Sequence, residues 1–495
     1  MKIGIVLAYS MLLFGLALFI LCTAPERSVE FKTAYYQIPE GELDPAAWAK
    51  AYPLHYERFM LNSKPSPANK SKYQKGWDED LIVYDKLSEF PYLALLYHGW
   101  GFGIEYNVPR GHYYRVKDQI EVDKSRLAPG GVCLSCKSPY APKLEKEYGL
   151  AYYRTPYFEA LAWIPEEHRE LGDSCADCHR ADGSLKISRD FSLGKALRQM
   201  GYDPENLPTS LMRSLVCAQC HVTYIIPRDE KMKPVGLFLS WNLSKSLDDI
   251  SVEKIIAVIR SNASYNEWTQ KVTGFKLGFI RHPEFELYAR NSTHWLAGVA
   301  CADCHMGYVK IGGYKITDHW ITSPLKKDLR TCKQCHTQSE EWLKQRVFEI
   351  QDRTISLLIR SGYTLAETAK LFEIANKAKS EGVEIDEKAY EIAKELYIEA
   401  FYRHVFIQAE NSYGFHNPEE AMRILGDAIA MASEAKAILK TALQKAGVDV
   451  PATIDLELEK YLNNRGEKML KFKPEQEFRD PFGTQEKIVS IKHMR

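Results

Sequence analysis

Five Cys-x-x-Cys pairs carry the chemistry of this chain. They open at Cys133, Cys175, Cys217, Cys301 and Cys332 and close at Cys136, Cys178, Cys220, Cys304 and Cys335. Four are followed by histidine, namely His179, His221, His305 and His336. Such a run can form two thioether bonds to haem vinyl groups and set an imidazole beneath the iron as proximal ligand. Paired Cys-x-x-Cys motifs also bind structural Zn²⁺. Histidine makes up only 14 of 495 residues, so its recurrence after four of five pairs favours haem. Ten of the eleven cysteines are consumed by the pairs, leaving Cys22 near the N-terminus. No structural disulfide is expected.

The Cys133 pair is followed by Lys137 instead. An amine ligates iron only when deprotonated, so it needs burial or neighbouring charge to lower its pKa. One divergent site among four alike suits a single reactive iron fed by a relay, because a catalytic haem needs an open distal side. The alternative is an ordinary exposed lysine behind a disulfide or a degenerate haem site.

The elements that must position these groups fall into two regions behind a leader. Residues 1–27 hold Lys2 and an uncharged, mostly apolar run from Ile3 to Leu21, which reads as a signal peptide and places the protein in the periplasm. The run is long enough to span a bilayer and the cleavage site is poor, so an uncleaved, membrane-associated anchor is the alternative. Residues 28–340 are rich in Gly, Pro and aromatics and contain all five pairs, which predicts a pentahaem catalytic region of short helices and long loops around the haems. Residues 341–495 switch to long helical periodicity, predicting helices Trp342 to Gly362, Leu365 to Glu381, Asp386 to Ser412, Pro418 to Ala446 and Ile454 to Asn464. Asp386 and Pro418 serve as starts, Gly362 and Gly382 as stops. The fold class is therefore mainly α, a multihaem cytochrome c fold completed by long C-terminal helices whose apolar stripes form core or a dimer interface. With 45 % hydrophobic residues and zero net charge, the chain can bury a large core and has no general attraction for nucleic acid.

Four haems with two imidazoles each need four histidines beyond the motifs, and ten are available: His55, His98, His112, His168, His282, His294, His319, His404, His416 and His493. His112, His282, His294 and His319 stand out for their Gly, Pro or aromatic surroundings close to the pairs.

On Cys133-Leu134-Ser135-Cys136-Lys137, Pro109-Arg110-Gly111-His112, the Cys217-to-Tyr224 stretch, His282-Pro283-Glu284 and Ala300-to-Met306, the chain resembles the pentahaem cytochrome c nitrite reductases, the ammonia-forming enzymes. The resemblance implies five covalently bound haem c groups, with Arg110, Tyr224 and His282 around the open face of the Lys137-ligated haem. It implies distal ligands His319 opposite His179, His112 opposite His221, His416 opposite His305 and His294 opposite His336. His404 reads as packing. It further implies reduction of nitrite by six electrons to ammonium, hydroxylamine as a second substrate, and a homodimer joined through the long helices. The electron donor would be a membrane-bound quinol-oxidising multihaem cytochrome or a soluble one.

The chain departs from the family in one place. Most members bind calcium near the reactive haem through a Glu directly before the catalytic Tyr and a Gln directly before the catalytic His, and here those positions are Thr223 and Arg281. Losing two oxygen ligands and gaining a positive charge disfavours a cation that wants six to eight oxygens. The expectation is that calcium is absent and that the Arg281 guanidinium replaces it, hydrogen-bonding backbone carbonyls near Tyr224, as in the calcium-independent branch. A pure electron-transfer cytochrome, or a relative of the multihaem hydroxylamine oxidases or sulfite reductases, is the competing class.

Overall fold

A cysteine, the cysteine three places on and the residue after it share one face only where the backbone turns helically. The computed structural model, which describes residues 36–463, 465 and 476–493, builds every pair this way. The amides of His179, His221 and His336 donate to the carbonyls of Cys175, Cys217 and Cys332 at 2.8, 3.0 and 2.9 Å. The Lys137 amide donates to Leu134 at 2.9 Å, a tighter turn that ends the 3₁₀ segment Gly130–Cys136. The leader, Cys22 and Asn464 lie outside the described residues, and no described helix is long and apolar enough to cross a membrane.

The haem-motif region is built from short pieces. Helix α1 (Tyr92–Leu96) is buried throughout, α2 (Thr209–Ala218) carries Cys217, α3 (Val252–Arg260) packs inward, α4 (Glu284–Ala289) follows His282, and α5 (Cys301–His305) is itself a motif. Among the described residues, three two-stranded antiparallel ribbons lie between these pieces. β1 (Tyr224–Ile225) pairs with β2 (Phe238–Leu239), β3 (Trp268–Thr269) with β4 (Lys276–Leu277), and β5 (Tyr308–Ile311) with β6 (Tyr314–Thr317). The last turns through Gly312 and Gly313, both at positive φ, and delivers His319 two residues beyond its end.

Three long helices complete the fold: α6 (Glu340–Ser380), α7 (Glu387–Gln408) and α8 (Pro418–Lys445). Asp386 caps α7 by accepting from Ala389 at 3.1 Å, and Pro418 opens α8 behind the cap Asn417, both starts as predicted. Gly382 ends α6 at φ +88°, also as predicted. Gly362 does not stop it. The helix runs on through 41 residues because a β-carbon at Gly362 would meet the Tyr92 ring at 2.2 Å, so glycine there admits that ring. α7 ends at Gln408, short of Ser412, and the last predicted helix is trimmed to Leu458–Asn463. Along α8, Ala421, Leu425, Ala428, Ala432, Ala435, Leu439 and Ala442 are buried, a small-residue seam that lets the helices approach closely.

Helix α7 also sets the position of the site. Its Tyr402 hydroxyl accepts from the Gly278 amide at 2.8 Å, and its Tyr397 hydroxyl donates to Gln270 at 2.9 Å. These bonds grip the β3–β4 ribbon at both ends. The chain leaving that ribbon runs directly into Arg281 and His282.

Candidate active site

Two of the three expected groups lie within electrostatic reach of the Cys133–Lys137 turn, and the third is held by a residue that does. Lys137 is half-buried, and its amine is held below the ordinary lysine value by burial first, with Arg115 adding to the effect and Cys136 opposing it. That is the direction a ligating amine requires. His282 senses the Lys137 charge and Tyr224 senses the Cys133 and Cys136 sulfurs, so both lie within electrostatic reach of the turn. Asp118, which also senses Lys137, holds Arg110 by accepting from its Nε at 2.5 Å and from its backbone amide at 3.0 Å. Arg110 Nη2 donates to Glu121 at 2.5 Å, and its guanidinium lies 4.9 Å from the centre of the Tyr114 ring.

His282 sits at φ +47°, a conformation that costs a non-glycine residue about 1–3 kcal/mol and that packing must enforce. Its side chain is 41 % exposed. Its Nδ1 is nonetheless shielded from solvent, and that burial pushes its pKa down, with Lys137 and His221 adding to this and Glu284 opposing. Tyr224, half-buried in β1, is pushed well above the ordinary phenol range by burial and stays protonated as a donor.

Arg281 is buried, and its guanidinium meets the carboxylate of Glu267 fork to fork at 2.7 and 2.5 Å, lying 5.2 Å from the Tyr224 ring and 5.3 Å from that of Trp100. The expected partner was a set of backbone carbonyls. A carboxylate 14 residues upstream takes their place, because a buried guanidinium needs neutralisation as well as hydrogen bonds. Burial works against the charge of Arg281, but Glu267 prevails and holds it firmly protonated. Thr223 Oγ1 donates to the Arg281 carbonyl at 3.2 Å, and its amide donates to buried Glu286 at 2.7 Å.

Eight other histidines, four from the motifs and four from outside them, lie in facing pairs. Ring centres of His179 and His319 are 6.1 Å apart, those of His112 and His221 5.9 Å, of His305 and His416 6.3 Å, and of His294 and His336 6.2 Å. Two iron–nitrogen bonds of about 2.0 Å and the half-widths of two imidazoles add up to about 6 Å, so each gap suits an iron between the rings. The Nδ1–H groups of His179, His305 and His319 donate to the carbonyls of Gly183, Thr322 and Thr317 at 2.8, 3.1 and 3.1 Å. Nδ1 of His221 and of His416 faces Glu284 and Glu410 at 3.4 and 2.6 Å. With Nδ1 engaged, Nε2 is the nitrogen left to face a metal. Burial, reinforced by the facing rings, pushes His112 and His319 down to about 3 and His305 to about 4, keeping them neutral as ligands must be. The described cysteines form no disulfide.

The model of the cytochrome c552 family matches residues 44–491. The chain belongs to that family. Members bind haem c covalently, which the ten paired cysteines fit. Cytochrome c-552 of Desulfotalea psychrophila is 31 % identical over 422 residues, 81 % of this chain and 76 % of that protein. The cytochrome c nitrite reductase subunit NrfA of Nitratidesulfovibrio vulgaris is 29 % identical over 84 % of this chain and 82 % of that protein. Among solved structures, the catalytic subunit of the cytochrome c nitrite reductase from Desulfovibrio desulfuricans, described with two calcium sites, shares the fold at a TM-score of 0.73. It is 24 % identical and covers 87 % of this chain and 96 % of that one.

Sequence reasoning missed the groups that support this cytochrome c552 site from behind. Glu267 and Glu410 stand in no motif. Glu284 lies in a quoted segment but was given no task, yet it faces both His221 and, at 3.9 Å, His282, while Asn411 donates to it at 2.6 Å. A carboxylate two residues from a histidine was the one local signal available. His404 packs as expected, fully buried, with Ser361 Oγ 2.8 Å from its Nδ1 and its ring edge-on to Tyr92.

Proposed function

We propose that the protein reduces nitrite to ammonium at a haem attached through Cys133 and Cys136 and ligated by Lys137. The observation that carries this reading is an asymmetry. Four Cys-x-x-Cys-His motifs have a second imidazole facing the first at about 6 Å, while the groups gathered at the fifth are an arginine, a tyrosine and a histidine suited to anion binding and proton transfer. Haem iron with one open side supplies a Lewis-acidic, reducible centre for a small anion. His179/His319, His112/His221, His305/His416 and His294/His336 would hold the four haems that supply it with electrons.

Nitrite takes up six electrons and eight protons on its way to ammonium and loses both oxygens as water. Arg110, kept in place by Asp118 and Glu121, directs its fixed positive charge to the anion and favours departure of oxygen. His282, its basicity lowered by burial and its ring oriented by Glu284, passes protons inward, and the Tyr224 hydroxyl donates a hydrogen bond that it does not readily surrender. The Arg281–Glu267 pair takes the part that calcium plays in other members, keeping the Tyr224 ring in place without a metal. Hydroxylamine stands between nitrite and ammonium in oxidation state and is the expected second substrate. The protein works in the periplasm, anchored if the leader persists, as a homodimer joined along α7 and α8. It draws electrons from a quinol-oxidising multihaem cytochrome or a soluble cytochrome.

The test is the ratio of ammonium formed to nitrite consumed by EGTA-treated protein with reduced viologen as donor. One ammonium per nitrite supports both the reaction and the arginine substitute. Turnover that returns only with added calcium discards the substitute. No turnover in either condition moves a pure electron carrier to first place.

A further inference from the structure

Arg189 belongs to none of the motifs, yet it touches three of them. Its side chain is 1 % exposed. Nε donates to the carbonyl of Ser135 at 2.8 Å and Nη2 to that of Ser138 at 3.3 Å, the two carbonyls that bracket Cys136 and Lys137. Nη1 donates to Asp177, inside the Cys175 pair, at 2.8 Å and to Ser188 at 3.0 Å. The backbone amide of Arg189 donates to Gln219, inside the Cys217 pair, at 2.8 Å, and the Gln219 amide returns to the Asp177 carbonyl at 3.0 Å. Asp177 is held in turn by Arg115 at 2.5 Å. A buried guanidinium is costly unless its N–H groups all find acceptors. Here two of the guanidinium's acceptors, Ser135 and Asp177, lie inside pairs, where the attachments on either side set the orientation, and the backbone amide of the same residue adds the third pair through Gln219.

We propose that Arg189 is a positioning residue for the reactive centre. Its planar fork locks the Lys137 turn against the Cys175 motif, its backbone amide ties both to the Cys217 motif, and together they set the direction in which the Lys137 amine meets its metal. The inference rests on the reading of Lys137 as an axial ligand. Lysine at position 189 would keep the charge, but a compact ammonium on a flexible stem cannot span carbonyls on one side and a carboxylate on the other.

The decisive variant is Arg189→Lys in the haem-loaded enzyme. Measured are haems per chain, the absorption and electron paramagnetic resonance signals of the lysine-ligated haem against those of the four bis-imidazole haems, its midpoint potential, and nitrite turnover. We expect five haems, unchanged bis-imidazole signals, a displaced signal and potential for the Lys137 haem, and a turnover number lower by about 10–100-fold. KM for nitrite is unchanged because Arg110 is untouched. An unaltered Lys137-haem signal overturns the proposal, and so does equal disturbance of all five signals, which marks a purely structural role. If the variant does not accumulate, Gln219→Met decides. It frees the strut from the third motif alone, and a smaller displacement of the same signal is expected, its absence overturning the proposal. Wild-type protein without nitrite turnover would sink the reductase reading and leave this spectroscopic comparison standing.

Discussion

Helices α6–α8 bury alanine and leucine seams, whereas the region around the five cysteine pairs buries charge. Arg189 with Asp177, Lys326 with Asp78, Lys327 with Asp318 and Arg281 with Glu267 are all ion pairs with both side chains nearly or fully buried. Apolar burial is non-directional and worth about 25 cal/mol per Å², so the long helices gain stability wherever their stripes meet. A buried ion pair adds little net stability, because desolvation offsets the attraction. What it adds is direction, through fixed hydrogen-bond geometry. The contrast teaches that one half of the chain is built for cohesion and the other for the exact placement of groups that must face a cofactor.

Directional placement makes the haem-motif region the more sensitive in function. His282→Gln removes the proton-passing imidazole and is expected to lower ammonium formation by about 10²–10⁴-fold, with haem content unchanged; wild-type turnover would remove His282 from the chemistry. Arg281→Gln leaves Glu267 buried with only Arg228 near it, at 3.7 Å, and releases the Tyr224 ring. Turnover in EGTA-treated protein should fall by about 10–100-fold. Full activity of this variant in calcium-free buffer shows that the ion pair does not stand in for calcium.

The same contrast decides what could be read from sequence. The starts of α7 and α8 were legible because Asp386 and Pro418 act on the residues beside them. The ligating turns were legible because two sulfurs and a ligand must follow one another within one helical turn. Gly362 was misread as a stop because its reason lies in Tyr92, 270 residues away in sequence. Glu267, Glu410 and Arg189 were illegible on the same ground: a lone charged residue in sequence does not show which distant partner it meets. The length of the loops around the pairs was legible, their paths were not, since side chains rather than a repeating pattern hold them.

Gly362→Ala tests the cohesive half. The added methyl must displace the Tyr92 ring, whose hydroxyl donates to the Leu358 carbonyl at 3.2 Å and lies 3.2 Å from Gln408 Oε1. Overpacking of this kind costs about 1–3 kcal/mol. Thermal unfolding should shift down by a few degrees with turnover per folded molecule unchanged. A loss of activity without a loss of stability would mean that the two halves are coupled more tightly than their different chemistries imply.

The cohesive half also seals in a titratable ring. His404, sealed between Ser361 and Tyr92, is pushed down to about 3 by burial. An unfolded chain takes up a proton there near pH 6.5, while the folded one does not until about pH 3. Its contribution to stability is therefore fully present above pH 6.5 and drains away as pH falls through that window, at up to about 1.4 kcal/mol per pH unit. His404→Phe keeps the ring in place and removes the proton site. Acid unfolding of the variant, followed by helix content, should begin at lower pH than in the wild type, and the two curves should meet above pH 7. If they coincide at every pH, His404 takes up its proton equally in both states and carries none of the acid sensitivity, and the buried carboxylates of the haem-motif half set the onset of acid unfolding instead.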